Sequence, residues 1–195
     1  MNKKRRTQAE RRAETRAAVL ESACRLFGSK GYADSSLEEI ASACGLTIRP
    51  IYHYFGNKKQ LFQAVNDVME ERIVTSLQSS AARASDDPVL GAWRAFLELC
   101  RDGEFRRIVL VDGPNVLGRE RWKHSEVTEI ASELIRRSVD GALPAAGELV
   151  GRMLLGAIAE AALTIAESDD PEGASREADV VVTRLVGSLL DLRLG

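Results

Sequence analysis

Between Gly45 and Leu61 the chain reads GLTIRPIYHYFGNKKQL, and those residues include an arginine, a histidine and two lysines able to meet a polyanion. At about 100° per residue on a helix, Ile48, Ile51, Tyr52 and Phe55 fall on one side and Arg49, Pro50 and His53 on the other. One face packs, and the other displays a guanidinium and an imidazole. A guanidinium so placed is able to pair in bidentate fashion with guanine, with a solvated arginine as the less favoured alternative. Lys58 and Lys59 come after Asn57, which reads as a helix cap, so both sit in a first turn where a cation opposes the helix dipole at a cost of roughly 0.3 to 1 kcal/mol. A phosphate shared by Lys58 and the free amides of that turn makes it an anion site, with tolerated surface lysines as the alternative. His53 has no cysteine, second histidine or acid at ligand spacing, so it reads as a groove or phosphate contact rather than a metal ligand.

Short helices must carry these side chains. Ala17, Val19, Leu20, Ala23, Cys24, Leu26 and Phe27 recur at spacings of three and four, which predicts an amphipathic helix ending near Gly31. A second helix is expected from Ser35-Ser36, where Glu39 completes a capping box with Ser36 and Leu37, Ile40, Ala41 and Cys44 form the apolar stripe. Gly45 breaks it, Thr47 is the expected cap of the next, and Pro50 suits a first turn because its missing amide has no intrahelical partner there. Two short helices joined by a glycine turn, the second with a polar outer face, have the form of a helix-turn-helix.

Charge separates this head from the rest. The 195 residues carry a net charge of -2, yet residues 1–60 hold 12 Lys+Arg against 6 Asp+Glu, and the remainder 15 against 23. A basic head on an acidic body suggests that the head meets a polyanion; a solvated tail of incidental charge is the alternative. The N-terminal Lys3, Lys4, Arg5 and Arg6 precede TQAERRAETRAA rather than an apolar run, so no secretion signal is read there. The most apolar later stretch, 153–166, reads as too short for a bilayer and contains Glu160. The chain is therefore expected to be soluble and cytoplasmic, with no membrane partner. Cys24, Cys44 and Cys100 suit neither a disulfide framework nor a zinc site and read as small buried apolar residues.

Residues 20–65 resemble the DNA-binding domain of the TetR/AcrR family of transcriptional regulators. The resemblance rests on Leu26-Phe27 followed by Gly31-Tyr32; on the serine pair before L-x-x-I-A; on the Gly-Leu-Thr turn; and on Y-x-x-F-x-x-K-x-x-L at Tyr52, Phe55, Lys58 and Leu61. The family often has glycine where this chain has Arg49, so the base-contacting surface is this chain's own. The resemblance implies that Ser35 and Ser36 bond phosphate, alongside or instead of capping, and that Thr47, Arg49, Pro50 and His53 face the groove. Tyr52 is implied to bury its ring and reach a phosphate through its hydroxyl, with a wholly structural tyrosine equally open.

After Leu61 the pattern stays helical. Helices are expected over 61–82, 89–101, 104–112, 117–140, 145–167 and 172–192, separated by RDG, DGPN, GALP and SDDPEG. The fold class is all-α: a three-helix helix-turn-helix domain over 1–60 and a larger helical effector-binding and dimerisation domain over 61–195. The last two helices are apolar over more than one face, and the first is rich in Gly and Ala, which implies a second partner surface. Leu149, Met153, Gly156, Ala157, Glu160, Val182, Leu185 and Leu189 are the residues expected at that surface, where the family forms a four-helix bundle across a two-fold axis. Glu160 alternatively pairs with Arg152. Trp93, Phe96, Leu97, Cys100, Phe105, Leu110, Leu117 and Trp122 line a pocket for an apolar effector if the family pattern holds, and are plain core if it does not.

The resemblance implies a homodimeric repressor that grips a palindromic operator in double-stranded DNA and is released by an unidentified small molecule, with no cofactor, metal or catalytic residue. A regulator switched by a protein partner is a second reading. An enzyme with a basic appendage is a third, opposed by the lack of a phosphate loop or metal cluster and by histidines limited to His53 and His124.

Overall fold

The structure is a computed structural model and describes residues 7–82, 87–140 and 147–190; the expected break GALP, 141–144, lies outside them. Among the described residues every element is helical. Helices α1 (Gln8–Lys30), α2 (Leu37–Ala43) and α3 (Arg49–Phe55) form the head, and α4 (Lys58–Ala82) continues from it. Helix α5 (Pro88–Cys100) is followed by a short α6 (Gly103–Phe105), a π-helical segment (Arg106–Asp112) and α7 (Gly113–Leu117) in one unbroken helical run. Then come α8 (Glu120–Lys123), α9 (Glu126–Asp140), α10 (Gly147–Glu167) and α11 (Pro171–Leu190).

In the head, Val19, Ala23 and Phe27 of α1 pack with Ile40 of α2, Ile51 and Phe55 of α3, and Leu61 and Phe62 of α4. Phe27 and Phe62 meet edge to face with centroids 5.2 Å apart, and Tyr32 meets Phe62 at 5.1 Å. Burying one such ring contributes about 1.5–3 kcal/mol by area alone. Phe62 lies beyond the expected division at 60/61, and α4 runs unbroken through that point.

In the body, α5 and α9 pack on α4, and α10 lies between α9 and α11. Arg121 of α8 ties to α4 through Asp67 at 2.5 Å and Glu70 at 3.0 Å. Two expectations are corrected. The DGPN stretch does not separate two helices: the chain stays helical from Gly103 to Leu117, with Pro114 in the first turn of α7 directly after the π segment. The run expected over 117–140 divides at Gly118, whose φ is +97°, and again at His124, leaving the short α8 apart from α9.

Candidate nucleic-acid interface

The second helix begins with the expected capping box. Ser36 Oγ accepts from Glu39 N at 3.1 Å, and Glu39 Oε2 accepts from Ser36 N at 3.0 Å. Lys30 closes the box from outside at 2.7 Å from Glu39. That lysine hydrogen bond first, and the Ser36 amide second, hold the Glu39 carboxyl below its ordinary value of 4.5. At the turn Gly45 takes φ +68°, a left-handed conformation that favours glycine.

Helix α3 then starts at Arg49 with Pro50 in its first turn and no side-chain cap, so the expected cap at Thr47 is corrected: Thr47 lies two residues before the helix and is exposed. Ile51 and Phe55 are buried, and Ile48 is half-buried. From α1, the Arg16 guanidinium stands 5.3 Å from the Phe55 ring centroid and braces α3 from its flank. Arg49 and His53 are exposed and Pro50 is half-buried. Tyr52 is 52% exposed, so it belongs with Arg49 and His53 on the outer face rather than with the packed residues. Among the described residues no hydrogen bond or ion pair engages Arg49. A guanidinium, an imidazole and a phenol thus share one convex face, open to contact from outside.

Two of the expected phosphate contacts have partners within the chain. Ser35 is buried, and its hydroxyl donates inward to Gly31 O at 2.8 Å and Leu26 O at 3.1 Å. Its role is to close the corner between α1 and α2, and its hydroxyl does not face solvent. Lys58 is half-buried: Nζ donates to Ala33 O at 3.3 Å and sits 4.5 Å from the Tyr32 centroid. Asn57 caps α4 as expected, its Oδ1 accepting from Gln60 N at 2.9 Å.

The eight residues expected to line a pocket or the core are packed together. Trp93, Cys100, Phe105 and Leu110 are buried, and Phe96, Leu97, Leu117 and Trp122 pack against them. Trp93 stacks on Phe96 with centroids 6.1 Å apart, and Phe96 meets Phe105 at 6.3 Å. Trp93 Nε1 is buried without a hydrogen-bond partner. A solvent-open groove of about 710 Å³ runs elsewhere, between α4 and α5, with Val68, Arg72, Ser76 and Glu98 on its walls. Burial pushes the Cys24 thiol up to about 11 and the Cys100 thiol up to about 12, so neither is a thiolate near neutral pH. Among the described residues no group of three or more His, Cys, Asp or Glu side chains could hold a metal ion.

On α10, Leu149 and Met153 are 65% and 62% exposed, Gly156 and Glu160 are exposed, and Ala157 is half-buried. On α11, Leu185 and Leu189 are half-buried, while Val180 and Val181 are exposed. Val182 is corrected: it is 2% exposed and points into the protomer's own core. Among the described residues no ion pair joins Arg152 to Glu160, and both are exposed. Over an 18-residue window helix α10 reaches a mean hydropathy of 1.7, which by length and composition alone would let it cross a membrane. Its Leu154, Ala162 and Ile165 are nevertheless buried in the helical body.

A short helix with a polar outer face, supported from behind and set on a helical body, has the form of a helix-turn-helix DNA-binding head. The chain belongs to the TetR family: residues 19–65 match the family "Bacterial regulatory proteins, tetR family", and residues 87–189 match "Tetracyclin repressor-like, C-terminal domain". It is 38% identical over 109 residues to the HTH-type transcriptional regulator TtgR of Pseudomonas putida, covering 53% of this chain and 51% of that one. It is 37% identical over 76 residues to the regulator AcrR of Shigella flexneri, covering 39% and 35%. The chain thus spans about half the length of the first of these curated relatives. Among solved structures, a TetR-family transcriptional regulator from Pectobacterium atrosepticum is 32% identical with a TM-score of 0.76, covering 96% of this chain and all (100%) of that one.

Proposed function

We propose that the protein is a DNA-binding transcriptional repressor that acts as a homodimer on a palindromic operator and is released by a small-molecule effector. The observation that carries this reading is the outer face of α3, where Arg49, Tyr52 and His53 are exposed while Ile51 and Phe55 anchor the helix from behind. Arg49 reads a guanine, and Thr47, Pro50, Tyr52 and His53 complete the groove-facing surface. Ser36 and Lys58 contact flanking phosphate, Ser36 through the α2 N-terminus and Lys58 without leaving Tyr32.

The exposed apolar residues Leu149 and Met153 on α10 and Val180 and Val181 on α11 support pairing with a second copy, with Gly156 and Ala157 allowing close approach. Two α3 helices about 34 to 36 Å apart would then meet successive major grooves. For the effector, the unpartnered Trp93 Nε1 amid Phe96 and Phe105 favours a largely apolar molecule carrying one hydrogen-bond acceptor, admitted by repacking of that cluster.

A fluorescence-anisotropy titration against DNA from upstream of its own coding region, repeated over a series of salt concentrations, tests the reading. Binding that tightens as salt falls is expected, because each neutralised phosphate releases counterions. Absence of binding at low salt would sink it. A thermal-shift screen for an effector, followed by its addition to the DNA complex, separates small-molecule release from control by a protein partner.

A further inference from the structure

The run Arg106–Leu117, RRIVLVDGPNVL, holds a feature that its composition explains. Pro114 lacks an N–H, and its ring crowds the carbonyl one turn before it, so the helix cannot pass that point in a regular α register. The chain widens instead: Arg106–Asp112 is π-helical, and Gly113 N donates to Ile108 O, five residues back. The fit at Gly113 is tight: a Cβ there would lie 3.0 Å from both Asn66 Oδ1 of α4 and Ile108 O of the π segment. An inserted π residue rotates the downstream part of the helix by about 100° relative to an uninterrupted α-helix. Asp112, the last residue of the π segment, faces the head.

Its carboxylate meets the corner between α1 and α2. Asp112 Oδ2 accepts from Tyr32 N at 2.7 Å and lies 3.5 Å from Arg107 Nε. Arg107 in turn donates to Lys30 O at 3.4 Å, and its guanidinium fills the space where a side chain at Gly31 would stand. Gly31 has φ +88°, a backbone conformation that favours glycine. Lys30, Gly31 and Tyr32 are thus all touched by two residues of one π segment. Tyr32 is central to the head: its ring packs on Phe27 and Phe62, and Lys58 lies over it.

We propose that Asp112 is a positioning residue for DNA binding. From the end of the π segment its carboxylate fixes the Tyr32 amide, and through it the angle at which the head and its recognition helix stand on the body. It touches no DNA itself. In a dimer that angle sets the distance between the two recognition helices, so Asp112 governs which half-site spacing is bound best. This role rests on the DNA-binding, dimeric reading above.

The test uses full-length wild type, Asp112→Ala and Asp112→Asn, with a palindrome selected from a random duplex pool, the same palindrome with its half-sites one base pair nearer or farther, and a single half-site. Amide exchange at Tyr32 is followed in the same proteins. Asp112→Ala is expected to speed Tyr32 exchange and to lower affinity for the best spacing, each by roughly tenfold, as for loss of a charge-assisted hydrogen bond. Its preference among spacings flattens, while single half-site affinity and exchange at Ile40 stay as in wild type. Asp112→Asn keeps an acceptor for Tyr32 N and is expected to restore most of the spacing preference. An unchanged spacing preference in Asp112→Ala, or equal losses on full sites and half-sites, overturns the proposal. Wild type that binds no DNA overturns the regulator reading and this role together, and faster Tyr32 exchange in that case would mark the contact as structural only.

Discussion

The Lys58 ammonium stands 4.5 Å from the centroid of the Tyr32 ring while donating to Ala33 O, so one cation spans from the start of α4 to the corner between α1 and α2. A lysine in a first helical turn opposes the dipole, and here the aromatic face and a carbonyl offset that cost.

Lys58 therefore serves stability, besides the phosphate contact proposed for it. Lys58→Ala is expected to lower head stability by about 0.5–1 kcal/mol, read as a fall in thermal midpoint. It should also weaken all DNA sequences about equally and reduce the salt slope by about one contact. A salt slope equal to that of wild type would remove Lys58 from the phosphate contacts and leave it a structural residue.

Arg49 predicts the opposite pattern. It is exposed on the outer face of α3, so Arg49→Ala is expected to leave the thermal midpoint unchanged. Discrimination at one base position should fall by about 1–3 kcal/mol. Binding to a panel of single-base operator variants checks this, and a uniform loss across the panel would assign Arg49 to phosphate instead.

The contrast between Lys58 and Arg49 reflects what the sequence could reveal. Period-3.6 stripes, glycine breaks and the S-x-x-E box at Ser36 are local signals, and they located α1, α2, α3 and α4 to within a few residues. Arg49 and His53 were legible for the same reason. The inward hydroxyl of Ser35 was not, because its acceptors are the carbonyls of Leu26 and Gly31 at a corner whose closure depends on the fold. Tyr52 was assigned to the packed side by angle alone, whereas neighbouring helices decide how wide that side is. Asp112 and Arg107 were missed because Asp-Gly-Pro-Asn reads as a turn, and nothing local shows that Asp112 meets a residue 80 positions away. Val182 sat in a run of three valines, VVV, where composition alone does not say which one faces inward.

The Ser36–Glu39 box makes a pH prediction. Glu39 is held below 4.5 in the folded head, by Lys30 first and the Ser36 amide second. A depressed folded value means that its stabilising effect is full above the unfolded value and is lost as pH falls through the folded one. Glu39→Gln should therefore lower the thermal midpoint at pH 7, and the gap to wild type should narrow as pH falls below 4.5. Ser36→Ala, which removes the cap itself, is expected to cost about 1 kcal/mol. Circular dichroism melts from neutral to acid pH track both variants, and a gap for Glu39→Gln that stayed constant with pH would show that its charge contributes nothing.

The exposed apolar residues on α10 and α11 carry the assembly prediction. Leu149 and Met153 lie four apart on one helix face, each more than half exposed, and Gly156 comes next on open ground where a Cβ would meet nothing within 4 Å. An apolar face of that kind is stable in water when a partner covers it, and its small residues let a second helix approach closely. Replacing both Leu149 and Met153 by Glu places like charges across a two-fold axis, so the repulsion is doubled in the dimer and absent in the monomer. The double variant is expected to sediment as a monomer with its helical content intact. Losing the second head removes the effective-concentration gain, so palindrome affinity should fall by roughly 10² to 10⁴, while single half-site affinity stays the same. Sedimentation velocity and paired titrations separate the two effects. A double variant that still sediments like wild type would place the dimer surface elsewhere, whereas equal losses on palindrome and half-site would show that the head, and not the assembly, had been damaged.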